Sequence, residues 1–146
     1  EMVAYARTKG AKGINLVGMC CTANEILMRH GVPIGGNFLQ QELAISTGAV
    51  EAMVVDVQCI MPALGAVAGC FHTKLISTSP KAKFPGDVHI EFHEEHGYEI
   101  AKQIVRTAVE NYRFRKPGQF TITVTIRDKF GLKKPYSTTI NVTVNP

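Results

Sequence analysis

Apolar positions along residues 1–115 follow two alternating rhythms, short continuous runs and longer stretches with helical spacing. The runs read as strands and the spaced stretches as helices. Met2–Lys9 is the end of a helix closing at Gly10 or Gly13. Gly13 to Met19 reads as a short buried strand bounded by glycines. Thr22 caps a helix over Ala23–His30, with Glu25 as capping-box partner and Gly31 as its stop. Asn37 caps a second helix, Phe38–Thr47, which ends at Gly48. Glu51–Val57 is a strand with an unbroken apolar centre, the mark of a strand covered on both faces. Pro62 fits the first turn of a third helix, Ala63–Cys70. Lys74–Ser77 and Val88–Phe92 are further strands, separated by a Pro- and Lys-rich loop over Ser79–Gly86. Glu95–Arg115 is a long amphipathic helix with Ile100, Ile104, Val105, Ala108, Val109 and Tyr112 on one face.

This alternation predicts an α/β fold, a parallel sheet with helices on both faces (Rossmann-like). Such sheets bind ligands at the carboxyl ends of their strands. Cys21 and Cys59 both fall at such ends, and the reading places two strand ends side by side around them. The tail has a different rhythm. Gln119–Arg127 and Tyr136–Val144 alternate apolar residues with Thr, Ser and Asn around a turn at Asp128–Gly131. That is a β-hairpin pattern, so two parts are expected, 1–115 and 116–146. The tail resembles the last strands of an immunoglobulin-like or cadherin-like repeat. An isolated hairpin is marginal in water, so it is expected to pack on something.

Composition narrows the function classes. The chain has 146 residues, 45% hydrophobic and 19% charged, which is a globular balance. It has no apolar stretch long enough for a transmembrane helix and no secretory leader pattern. It begins with Glu rather than Met, so it is expected to be a piece of something longer. The net charge of +4 comes wholly from residues 116–146. Lysines on a solvated edge hairpin explain that better than a nucleic-acid surface.

The four cysteines are compatible with disulfides, a zinc site, iron–sulfur ligation or buried thiols. No CxxC is present, so the usual structural zinc spacing is missing. Neighbours in extended chain point opposite ways, so one of Cys20 and Cys21 faces a site and the other the core. His93-Glu94-Glu95-His96 lacks the HExxH spacing and reads as a capped helix start with surface histidines, His89 lying upstream. Cys70 reads as a core thiol at a helix end, near His72. His30 suits a helix C-terminus. Met19, Met28, Met53 and Met61 read as core filler. Gly35-Gly36-Asn37 lacks the lysine and serine of a phosphate loop and reads as a tight turn.

Three segments carry a resemblance. They are Gly13-Ile-Asn-Leu-Val-Gly-Met-Cys-Cys-Thr-Ala-Asn-Glu-Ile-Leu-Met-Arg-His-Gly, Gly36-Asn-Phe-Leu-Gln-Gln-Glu-Leu-Ala and Ala52-Met-Val-Val-Asp-Val-Gln-Cys-Ile-Met-Pro. In order, from about Glu1 to Arg115, the chain resembles the catalytic subunit of anaerobic nickel–iron carbon monoxide dehydrogenase. Hybrid-cluster proteins are distant relatives of similar layout, but Asp56-Val57-Gln58-Cys59 favours the carbon monoxide enzyme. The resemblance implies oxidation of CO with water to CO₂, two protons and two electrons at a buried nickel–iron–sulfur cluster. It implies that Cys21 matches the thiolate on the iron outside the cubane and Cys59 a thiolate on the cubane. Both precede expected helices, where thiolates are favoured. It further implies iron–sulfur relay clusters and a homodimer in the parent protein, a ferredoxin-like electron acceptor, and an anaerobic cytoplasm. The tail sits awkwardly with that compartment, since such β-repeats are usually extracellular.

The alternative class is a non-catalytic α/β scaffold or interaction domain with buried thiols, or a hydroxylamine reductase fragment of hybrid-cluster type. The family's histidine ligand and further cysteine ligands, including the one on nickel, have no match in the sequence. A polypeptide of these 146 residues alone is therefore expected to show no CO-dependent dye reduction. Measurable turnover in that assay would overturn the expectation.

Overall fold

A computed structural model describes residues 1–20 and 26–112 fully, and the backbone of 118–126 and 136–144. Thr22, Glu25, Cys21 and the turn at 128–131 lie outside the described residues. The chain divides into two compact units, Glu1–Arg113 and Phe114–Pro146.

In the first unit, α1 spans Met2–Thr8 and β1 only Gly18–Met19. A helical turn, α2, covers 26–29 and β2 spans Ile34–Gly36. Asn37 caps as expected, and with Gln40 it forms a capping box that the sequence reading does not mark. Its side chain accepts from the Leu39 amide at 2.9 Å, and Gln40 Oε1 accepts from the Asn37 amide at 2.6 Å. The box opens a 3₁₀ turn, Phe38–Gln40, that runs into α3, Gln41–Ser46. Then come β3 (Ala52–Val55), α4 (Leu64–Gly69), β4 (Lys74–Ser77), β5 (Val88–His89) and the long α5 (Gly97–Asn111). A short 3₁₀ turn, Pro80–Ala82, sits in the loop before β5.

Strands β3, β4 and β5 form a parallel sheet in that order, with Val55 opposite Ser77 and Ser77 opposite His89. Successive residues of β4 serve opposite faces. Leu75 packs with Ile45 of α3 and Leu64 and Ala68 of α4, while Ile76 packs with Ile90 and Ile100 of α5. Helices thus cover both faces, as the sequence predicts. The doubly covered strand is β4 rather than β3. As the edge strand, β3 leaves Val54 48% exposed.

Other expectations need correction. The strand expected over Gly13–Met19 shrinks to its last two residues, and Leu16 and Val17 are exposed. It pairs in parallel with β2, in a sheet separate from β3, so the two cysteine-bearing strand ends do not share a sheet. A two-residue ladder lacks the length to extend the larger sheet. The third helix begins at Leu64, not Ala63. Pro62 instead occupies a turn closed by the Leu64 amide on the Met61 carbonyl at 3.1 Å. Cys59 therefore lies well ahead of that helix. Cys70 is exposed because Leu64 and Ala68 set the buried face of α4 and Cys70 falls opposite. Met53 and Met61 do pack on the core, but Met28 is 48% exposed.

On α5, Ile100 and Val109 are buried. Its Asn111 side chain donates to the Glu51 carbonyl at 2.7 Å and also to the His72 carbonyl, tying the helix end to the starts of β3 and β4. Lys102 Nζ lies 3.1 Å from Glu1 Oε2, and this bond holds the Glu1 carboxyl below its ordinary value. In the second unit, β6 (Gly118–Ile126) and β7 (Tyr136–Val144) pair antiparallel, from Gly118 opposite Val144 to Ile126 opposite Tyr136.

Ile76 is fully buried at the centre of one face. Ile76→Ala is expected to destabilise the chain by about 2–5 kcal/mol. Val54→Ala, on the open side of β3, should cost far less when both are compared by urea unfolding.

Candidate functional site

Parallel strands place all their carboxyl ends at one edge of the sheet. At that edge β3 runs into Asp56 and the loop carrying Cys59. Thr78, just past β4, bonds back to β3. Its amide reaches the Val55 carbonyl at 3.0 Å, and its hydroxyl lies 3.2 Å from that carbonyl and 3.4 Å from Asp56 Oδ1. Fully buried Ser77 places its hydroxyl 2.9 Å from His89 Nδ1 on β5. The other ring nitrogen of His89 is buried and lies 3.9 Å from Glu91 Oε2.

Cys59 is half-buried and its backbone adopts φ +52°, in the left-handed region. A non-glycine residue there costs roughly 1–2 kcal/mol and persists only where its surroundings over-determine it. Here they do. The buried Gln41 side chain donates through Nε2 to the Cys59 carbonyl and accepts through Oε1 from the Met61 amide at 3.1 Å. Ile60 and Met61 pack on the core cluster beneath. The thiol thus stands on a loop fixed from both sides.

Cys20 shows the same backbone feature, φ +60°, directly after β1. Its amide donates to the Gly36 carbonyl at 3.2 Å. Gly36 must be small, because a Cβ there would sit 2.9 Å from the Cβ of Gln40 in the capping box. The extended chain expected through Cys20 and Cys21 therefore bends sharply at the first of them. Cys21 itself is outside the described residues. Among the described residues, no three His, Cys, Asp or Glu side chains gather into a group able to hold a metal ion.

The other motifs read plainly. His93 and His96 are exposed around a 3₁₀ turn, Glu94–His96, and neither makes a side-chain cap hydrogen bond. His72 lies 3.8 Å from Glu51 Oε1, and the Cys70 thiol donates to the Ala66 carbonyl at 3.5 Å, so the two are differently engaged. Gly35-Gly36-Asn37 is not the expected tight turn: Gly35 and Gly36 end β2, and Asn37 is the extended residue that opens the capping box.

Two features escape the sequence reading. Gln41 is one of a Gln-Gln pair, and only its place one residue after the capping box marks it as facing inward. The Ser77–His89 contact depends on the β4–β5 register, for which no local signal exists.

Comparison with known proteins converges on one family. The profile described as the prismane/CO dehydrogenase family matches residues 1–143, past the Arg115 at which the motif resemblance ends. The chain is 70% identical over 112 residues to carbon monoxide dehydrogenase 1 of Methanosarcina mazei, covering 77% of the chain and 18% of that protein. It is 68% identical over 122 residues to carbon monoxide dehydrogenase 1 of Methanosarcina acetivorans, covering 84% of the chain and 19% of the relative. Among solved structures, the as-isolated nickel-free carbon monoxide dehydrogenase of Thermococcus sp. AM4 superposes with a TM-score of 0.73 at 66% identity, over 76% of this chain and 18% of that one. The chain therefore spans under a fifth of the length of these relatives.

The left-handed backbone at position 59 yields a stability test. Glycine adopts φ +52° freely and alanine does not. Cys59→Gly is expected to unfold at higher denaturant than Cys59→Ala, by about 1 kcal/mol. The opposite order would show that the loop relaxes in the variants.

Proposed function

The chain belongs to the prismane/CO dehydrogenase family, and on that premise we propose that it is a segment of an anaerobic carbon monoxide dehydrogenase. The parent reaction is CO + H₂O → CO₂ + 2 H⁺ + 2 e⁻, with the electrons leaving to a ferredoxin-like acceptor. The segment's part is to supply Cys21 and Cys59 as thiolate ligands to a nickel–iron–sulfur cluster. Residues 1–115 form the α/β ligand-bearing part and 116–146 the β-hairpin tail. The parent works as a homodimer in the cytoplasm. Among the described residues, no helix is long and apolar enough to cross a membrane.

One observation carries this reading. Cys59 lies in the loop that leaves the carboxyl end of β3, half-buried, in a left-handed backbone whose following residues Gln41 holds by two bonds, to the Cys59 carbonyl and the Met61 amide. Strained, over-determined residues cluster at functional sites, and a buried thiol serving only as core filler needs no such support. The donor chemistry fits the group, since iron–sulfur clusters are held by thiolates. Residues of the right type stand at the matching positions, Cys21 and Cys59. When bound, the cluster supplies the Lewis-acid and redox chemistry that oxidation of CO requires. The chain's own contribution is positional. The α3–β3–α4 core fixes where Cys59 stands, and its half-burial limits the water around a thiolate there.

The scaffold alternative predicts a different response to substitution. In the full-length dehydrogenase carrying this segment, Cys21→Ser and Cys59→Ser are each expected to abolish the nickel–iron signal of the cluster while the protein still folds. Cys20→Ser should keep that signal. Unchanged nickel and iron content in Cys59→Ser, with only a small loss of stability, would favour a structural thiol.

A further inference from the structure

We propose that Gln41 is a positioning residue for the cluster ligand Cys59, an inference that rests on the ligand assignment above. Gln41 opens α3 and is 6% exposed, so its carboxamide is cut off from water. Both ends of that amide are engaged by one loop, Nε2 by the Cys59 carbonyl and Oε1 by the Met61 amide. The two bonds bracket Ile60 and fix the peptide plane that follows Cys59. That plane sets which way the residue-59 backbone turns, and hence where its Sγ can reach. At φ +52° the loop would otherwise relax towards an ordinary extended or helical state.

The chemistry demanded at position 41 is specific. The side chain must donate at one end and accept at the other, at the reach of a glutamine. Glutamate keeps the acceptor for Met61 and loses the donor for Cys59. Methionine has a similar length and satisfies neither. Asparagine is one methylene short.

The placement of Gln41 also joins the two cysteine loops. Within residues 36–41, the Gly36 carbonyl receives the Cys20 amide, Asn37 and Gln40 lock the turn, and Gln41 holds Cys59. One rigid stretch of chain therefore braces both loops, although β1 and β3 belong to different sheets.

The experiment uses the full-length dehydrogenase carrying this segment, with Gln41→Met, Gln41→Glu, Cys59→Ser and, as a stability control, Ile76→Ala. Ile76 packs on the α5 face, away from the loop. Nickel and iron per chain, the electron paramagnetic resonance spectrum of the reduced cluster, metal release to a chelator and the unfolding midpoint are measured for each. Gln41→Met is expected to weaken metal retention by about 10- to 100-fold and to shift the spectrum. Gln41→Glu, which sets a buried carboxylate against the Cys59 carbonyl, should weaken it at least as much. Ile76→Ala should lower the unfolding midpoint and leave retention and spectrum as in the parent. Wild-type retention and spectrum in Gln41→Met, or an equal loss in Ile76→Ala, would overturn the positioning role. Should Cys59→Ser itself leave metal and spectrum untouched, the ligand assignment fails and the inference falls with it. Loss in Cys59→Ser without loss in Gln41→Met sinks the inference alone.

Discussion

The fold depends on covering β4 from both sides. Parallel strands cannot be joined by a tight turn, so β3 crosses to β4 through α4, while β4 reaches β5 through a loop that holds the 3₁₀ turn Pro80–Ala82. On β4, Leu75 and Ile76 point in opposite directions and each needs an apolar partner layer. Helices α3 and α4 supply one layer and α5 the other. Once both layers are in place, every strand delivers its carboxyl end to the same edge. There Thr78 meets Asp56 and Ser77 meets His89, as a consequence of register rather than of any local preference.

The polar bonds at that edge do what hydrophobic packing cannot. Packing on α3 and α4 fixes the position of the loop after β3 but leaves its peptide planes free to turn. Buried backbone groups need partners, and an unpaired one costs about 1–3 kcal/mol. The two ends of Gln41 answer that need for the Cys59 carbonyl and the Met61 amide together. The same pair of bonds therefore satisfies the buried backbone and holds a conformation that the chain would otherwise abandon.

Much of this architecture was legible in the pattern of the chain. The continuous apolar runs mark β3 and β4, and Asn37 marks the start of the helical segment that leads into α3, because each signal is local. The face of α5 was read for the same reason. What the pattern missed was relational. Whether β3 or β4 is the inner strand depends on pairing order, which residue periodicity does not encode. The length of β1 depends on its partner β2, only three residues long. Cys59 is a candidate in the sequence through its place after a strand. Its left-handed backbone has no local signal, and its bond to Gln41 spans 18 positions in sequence.

That separation bears on how a site of this kind is specified. A thiol in the loop after a strand is readily brought to the sheet edge, since the sheet does the placing. Aiming it is harder, because the loop that follows has several low-energy shapes. Here the chosen shape is one that L residues avoid, so it forms only when the remote helix α3 has docked. Docking of α3 is in turn driven by Ile45, fully buried in the same core cluster as Leu64 and Leu75. The aim of Cys59 is thus coupled to completion of the core. A chain that has not closed its α3–α4 layer does not present the thiol in this geometry, so the position of the Cys59 side chain is a property of the folded state itself.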